Sequence, residues 1–144
     1  MINGATGQSG RLVMQEALDR GHQVTAIVRI LEKLPQDSAI KVVVKDVFEL
    51  TSADLTPYDV VVNAFNATFG TEEQHATAGH VLIEVLKGHT TTRLAIAGSG
   101  GSLFTDESRS ERIYESAGFP AQFLDTALQM RKNLEELQST SDLN

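Results

Sequence analysis

The stretch GATGQSG, residues 4–10, constrains this chain more than any other. Gly4, Gly7 and Gly10 recur at every third position. A strand that turns directly into a helix has three uses for them. One glycine makes the tight turn, one lets the backbone approach a pyrophosphate, and one lets the helix pack closely on the sheet. The helix that follows aims its first-turn amides and the positive end of its dipole at an anion. Thr6 and Ser9 add hydroxyl donors. A purely structural strand–helix turn can carry the same glycines, so the rest of the chain has to decide. Such a loop normally ends a buried strand of about 5–6 residues. Here only Met1, Ile2 and Asn3 precede it. Losing three or four buried Val/Ile-type side chains removes roughly 5–12 kcal/mol, against a total domain stability of about 5–15 kcal/mol. The C-terminal SDLN reads as the lead into a further strand. The expectation is a fragment of a longer chain, truncated at both ends.

Beyond the loop, strand-like and helix-like segments alternate. Residues 9–20 read as a helix with Val13, Ala17 and Leu18 on one face and Gly21 as its stop. The β-branched run HQVTAIVR is a strand ending at Arg29. ILEKLPQDS is a polar connection or helical turn broken by Pro35, and residues 40–44 form the next strand. In TSADLTPY, Ser52 can cap a short turn that Pro57 ends. Residues 60–64 form a third strand, apolar enough to be covered on both faces. A helix over about 72–87, a strand over 94–97, a long irregular segment and a last helix over about 121–137 complete the chain. Alternation of this kind predicts an α/β fold, a Rossmann-type doubly wound parallel sheet formed as one domain over 1–144. Its ligand crevice lies beyond the C-terminal ends of the strands.

The residues at those strand ends suit a dinucleotide. About twenty residues past the glycines an acidic side chain selects the ribose 2′-OH of NAD, whereas a basic one accommodates the 2′-phosphate of NADP. Arg29 stands there, either in that role or as a solvated strand-end charge. Asp46 can accept from an adenine amino group with Val47 against the ring, or simply cap its own turn. Asn63, Ala64 and Phe65 end the third strand. Small Ala64 leaves room for a ribose, and Phe65 either flanks adenine or belongs to the core.

Composition excludes several alternatives. With 12 basic and 19 acidic residues the formal charge is −7, which disfavours nucleic acid and anionic membranes as partners. There is no cysteine, hence no disulfide and no thiolate chemistry. No apolar run reaches the length of a membrane span, and the expected location is cytoplasmic. His75 and His80 lie five apart, off a common helical face, and read as surface or cap residues, so no metal is expected. His22 and His89 follow glycines at helix ends. DESRSER reads as a solvated loop. Tyr114, Phe119 and Phe123 nearby could line a flat-ring pocket or simply pack.

Taken together, GATGQSG, VRILEKL, KDVFEL, DVVVNAF and RLAIAGSGGSL resemble the atypical short-chain dehydrogenase/reductase branch of small NAD(P)H-binding proteins. That branch includes NmrA-like proteins and relatives of flavin reductase and biliverdin-IXβ reductase. The resemblance spans essentially the whole chain. It implies NADP(H), in preference to NAD(H), held by Gly4, Thr6, Gly7, Gln8, Ser9 and Gly10, with Arg29 at the 2′-phosphate. It places Asp46 and Val47 near adenine, and Ala64 and Phe65 along the ribose. Gly98 and Ser99 then face the nicotinamide, with Ser99 the candidate catalytic residue. The chain departs from the better-known dehydrogenases in lacking Tyr-x-x-x-Lys, since Tyr58 precedes Val62 and Tyr114 precedes Gly118 at that spacing. That argues against an ordinary alcohol dehydrogenase. Hydride transfer to a flavin (FMN or FAD as substrate) or a quinone-like small-molecule acceptor needs no such pair, because the protein mainly positions two rings. Two further readings stand beside it: an NmrA-like NADP-binding redox sensor without enzymatic activity, and a nucleotide-binding scaffold that has lost its chemistry. An open apolar slot beside AGSGG separates a reductase from a sensor.

Overall fold

The computed structural model describes residues 1–34 and 39–144; Pro35, where the sequence suggests a break, lies outside the described residues. Five parallel strands form one sheet: β1 (Ile2–Asn3), β2 (Val24–Val28), β3 (Ile40–Val44), β4 (Val60–Asn63) and β5 (Arg93–Ile96). Their order is β3-β2-β1-β4-β5, so the strand carrying the glycine loop is central. The helices are α1 (Gln8–Asp19), α2 (Ser52–Leu55), α3 (Glu73–Leu86) and α4 (Leu124–Ser139).

The strand required by the loop is therefore present, although two residues long. Ile2 pairs with Ala26 on one side and Val62 on the other. The Met1 amino group donates to Val60 O at 2.7 Å, Val62 N donates to Met1 O at 2.9 Å, and Ala64 N donates to Asn3 O at 3.0 Å. Met1, Ile2 and Asn3 are all buried. β2 and β4 extend past β1, leaving a cavity of about 870 Å³ lined by Met1, Ile2, Val24, Val60 and Val62 among others. That opening exposes Val60 and leaves Val62 half-buried, so β4 is less fully covered than its apolar sequence suggests.

Side chains alternate between two cores, as a sheet wound on both faces requires. Ile2, Val24, Ala26 and Val28 pack with Met14 of α1, while Met1, Ile27 and Val61 pack with Ala78, Leu82, Ile83 and Leu86 of α3. α4 lies against α3, and Gly79 makes that approach possible: a Cβ there would come within 1.8 Å of the Asn133 amide. α2 starts differently from expectation. Thr51 is its N-cap in a reciprocal capping box with Asp54, and the Ser52 hydroxyl donates instead to Val85 O at 2.9 Å.

The three loop glycines have three different jobs. Gly4 adopts φ +75°, and a Cβ on it would sit 2.5 Å from Ala64 O. Gly7 is exposed at the N-cap of α1. Gly10 is buried against the Gly4 carbonyl, which a Cβ would meet at 2.2 Å. Replacing Gly10 with Ala should therefore cost about 1–3 kcal/mol through overpacking. Gly98→Ala, where a Cβ meets nothing within 4 Å, should stay within about 0.5 kcal/mol of the parent. Urea-unfolding midpoints of the two variants check the contrast.

His75, in the first turn of α3, is buried rather than at the surface. Its Nε2 accepts from Ala67 N at 3.3 Å, and its ring meets Phe65 edge-on at 5.8 Å. Burial pushes its pKa below the ordinary 6.5, with Glu72 offsetting part of the effect. The unfolded chain then binds the proton more readily, so stability should fall as pH drops through 6.5 towards the lower folded value. His75→Gln keeps an acceptor for Ala67 but cannot titrate. Thermal melts across this window should show a flatter acid limb for the variant, and parallel curves would contradict the assignment.

Candidate cofactor groove and adjoining cavity

The groove begins where α1 begins. Gly7 gives α1 no side-chain cap, leaving the amides at its N-terminus free for an anion. The exposed Gln8 and Ser9 and the half-buried Thr6 stand around them. The Thr6 and Ser9 hydroxyls make no hydrogen bond among the described residues. A cavity of about 120 Å³ adjoins this end, lined by Gly4, Thr6, Gly7, Arg29, Asp46, Val47, Ala64 and Phe65 with their neighbours. Eight of the residues expected to hold a dinucleotide thus surround one space. Gln8, Ser9 and Gly10 belong to the adjoining first turn of α1.

Two cations border the groove, and they differ. Lys45 Nζ is tied to Asp54 at 2.7 Å. That bond, with those from Thr51, pulls the Asp54 pKa down to about 2. Arg29 is exposed and makes no ion pair or hydrogen bond among the described residues. Asp46 accepts from Phe48 N at 3.1 Å and so caps its own turn. Val47 is buried in the core while also bordering the groove.

Phe65 is held from three sides. It meets the Phe48 ring edge-on at 5.9 Å and the His75 ring at 5.8 Å. Its backbone N donates to Asn63 Oδ1 at 3.2 Å, and the same oxygen accepts from Asn3 Nδ2 at 2.8 Å. Asn3 and Asn63 face each other in register at the ends of β1 and β4, both buried. A polar residue closing an apolar strand needs such a partner. That was the available signal for the pair, and sequence reasoning did not use it for Asn3.

Beyond Phe65 lies a second cavity of about 180 Å³, between the ends of β4 and β5 and helix α4. Gly98 and Ser99 line it with His75, Ile96, Met130 and Leu134. Ser99 Oγ accepts from Gly101 N at 3.1 Å, which caps the following turn and leaves the hydroxyl proton free to donate. Ser102 and Asn133 also line the cavity, both buried. Among the described residues Ser102 Oγ and Asn133 Nδ2 have no hydrogen-bond partner. Leaving such groups unsatisfied costs about 1–3 kcal/mol each. Neither residue stands out in the sequence, because α4 and the loop carrying Ser102 meet only in three dimensions.

The aromatic residues 114, 119 and 123 do not line this cavity. Tyr114 is buried, with its hydroxyl bonded to Glu115 and Arg131. Phe119 packs near Gly101, and Phe123 lies beside Phe69 on the surface. His80 Nδ1 meets Glu136 Oε1 at 2.5 Å and ties α3 to α4 at an exposed position beside Glu84. Among the described residues no helix is long and apolar enough to cross a membrane.

Known proteins bear the same pattern. YwnB of Bacillus subtilis, an uncharacterised protein, is 45% identical over 99% of this chain and 67% of its own. A putative NADH-flavin reductase from Streptococcus pneumoniae has a crystal structure that superposes with a TM-score of 0.90. It is 37% identical, over 99% of this chain and 67% of that one. A Lactobacillus casei protein superposes with a TM-score of 0.82 at 26% identity, over 99% of this chain and 68% of that one. The chain thus spans about two thirds of the length of these relatives. Residues 4–144, from the first loop glycine to the last residue, match the NAD(P)H-binding family, and the chain belongs to it.

Proposed function

We propose that this protein is a reductase that draws electrons from NADPH, in preference to NADH, and passes them to a flavin or quinone-like small molecule. The observation that carries the reading is the adjacency of two cavities sharing Phe65: a groove at an anion-binding loop, and a largely apolar cavity at the end of β5. When bound, the reduced cofactor supplies a hydride from its nicotinamide ring.

The chain's own residues then divide the work. The free amides at the start of α1, with Thr6 and Ser9, receive the pyrophosphate. Arg29 receives the 2′-phosphate, since Lys45 is already committed to Asp54. Ala64 and Phe65 border the ribose, and Gly98 leaves the approach to the ring open. Ser99 donates its hydroxyl proton to a carbonyl of a bound ring and so positions it, without itself supplying a proton to the product. Catalysis of this kind is mostly alignment of two rings in a water-poor site. A redox sensor would have no use for an unfilled apolar space beside Ser99, and that space favours the reductase. The relative from Streptococcus pneumoniae described as a putative NADH-flavin reductase supports the same class of chemistry.

A charge-assisted hydrogen bond to the 2′-phosphate is worth about 1.5–3 kcal/mol. Arg29→Asp should therefore weaken NADPH binding about 10–100-fold and leave NADH binding near its parent value. Fluorescence titration of both reduced cofactors checks this. Equal losses for the two would remove Arg29 from the 2′-phosphate. Absence of NADPH oxidation with FMN and with a quinone alike would remove the reductase reading.

A further inference from the structure

We propose a metal site apart from the groove and the cavity: His80 and Glu84 of α3 and Glu136 of α4 hold one Zn²⁺ ion, which pins α4 to α3. None of the three residues lines either cavity. The proposal is independent of the reductase reading.

Spacing comes first. The five-residue step from His75 to His80 excludes a site along the helix. The partners of His80 in space are carboxylates. His80 and Glu84 stand four apart and share one face of α3. Glu136 reaches the same point from α4. One donor atom from each side chain lies within 4.8 Å of the other two. Donors bound to zinc at about 2.0–2.2 Å stand about 3.3 Å apart in a tetrahedron, so small side-chain rotations close the set. Among the described residues no other trio of His, Cys, Asp or Glu side chains comes together in this way.

The donors decide the ion. Carboxylates alone would suit hard Ca²⁺ or Mg²⁺. An imidazole nitrogen turns the preference towards a transition ion. One nitrogen and two carboxylate oxygens supply three ligands, and water takes the fourth position. His80 Nδ1 and Glu136 Oε1 face each other at 2.5 Å. A contact that short holds a proton, which the ion displaces on entry. Glu84 meets Lys87 at 3.6 Å on the surface, a pairing of little strength. With the proton gone, two carboxylates face one lysine, and the net negative charge draws a cation.

The scaffold is already in place. Next to His80, Gly79 admits the Asn133 amide of α4, which fixes the separation of the two helices beside the site. Met130, Leu134 and Leu137 of the same helix border the cavity at β5. An ion that holds α4 down therefore limits how far that wall can open.

The three side chains are exposed or half-buried, so they can be replaced without disturbing the core. The chelator-stripped chain would be titrated with Co²⁺, whose visible absorption is intense only at four-coordinate sites. One equivalent should bind with that spectrum. Zn²⁺ should displace it, and excess Mg²⁺ should not. Losing an outer-shell partner already costs about 10–100-fold in metal affinity, so His80→Ala, Glu84→Gln and Glu136→Gln should each weaken binding at least tenfold. His89→Ala removes an exposed imidazole elsewhere and should leave binding unchanged. Zn²⁺ should also slow amide hydrogen exchange in α4, an effect missing in Glu136→Gln. Absence of a four-coordinate spectrum, displacement by Mg²⁺, full affinity in His80→Ala, an equal loss in His89→Ala, or unchanged exchange in α4 would each overturn the proposal.

Discussion

One carboxamide holds the site together. Asn63 Oδ1, buried at the end of β4, accepts from Asn3 Nδ2 and from Phe65 N. The first bond joins the C-terminal ends of the two strands that flank the ligand crevice. The second fixes the backbone of the ring that separates the groove from the cavity. A backbone bond from Ala97 N to Asn63 O, at 2.8 Å, extends the same junction to β5. Removing either amide leaves a buried polar group without its partner, a cost of about 1–3 kcal/mol. That exceeds what most single surface contacts contribute. The crevice is therefore a rigid seam between three strand ends, on which the loop glycines and Phe65 are mounted.

The same seam holds the central strand β1 in the sheet. A central strand pairs on both sides. β1 obtains them through Ile2 and Asn3, while Met1 adds bonds to Val60 and Val62 from just ahead of the strand. Most of the pairing lies at the C-terminal end, beside the candidate groove. The opposite end has little: there the cavity beside Val24, Val60 and Val62 takes the place of packed side chains. The local order required by the glycine loop is thus separable from the bulk of the sheet core beneath it.

How much of this was legible in the sequence depends on the range of each interaction. The order of strands and helices was, because apolar runs, helix periodicity and Gly21 are local signals. The tight glycine turn was too, since Gly4, Gly7 and Gly10 lie within seven residues, and Gly4 and Gly10 each answer a separate steric demand. Arg29 and Asp46 could be placed at strand ends, but not which charges beside them are paired. That Lys45 is consumed by Asp54 follows from a turn whose geometry short polar segments do not announce, whereas the turn cap by Asp46 was one of the two readings its sequence position allowed. His75 was misread as a surface residue because its burial comes from Phe65 and the loop at Ala67, outside its own helical face. Asn133 and Ser102 were invisible for a stronger reason. They are 31 positions apart, and only the packing of α4 over Gly79 brings them to one wall.

The charge distribution completes the picture. A chain of formal charge −7 repels a dinucleotide phosphate at long range. At ionic strengths near 0.15 M that field is screened beyond about 8 Å, so the groups within the first shell of the groove decide affinity. There the chain offers amides at an uncapped helix start and one guanidinium free of ion pairs among the described residues. The neighbouring lysine is neutralised by a carboxylate that three hydrogen bonds hold ionised. In the proposed reading, recognition of the anion rests on fixed peptide dipoles and on the exposed guanidinium of Arg29. Such a design, in the same reading, receives the pyrophosphate of either nicotinamide cofactor at the helix start. On that reading the choice between the two cofactors falls to Arg29.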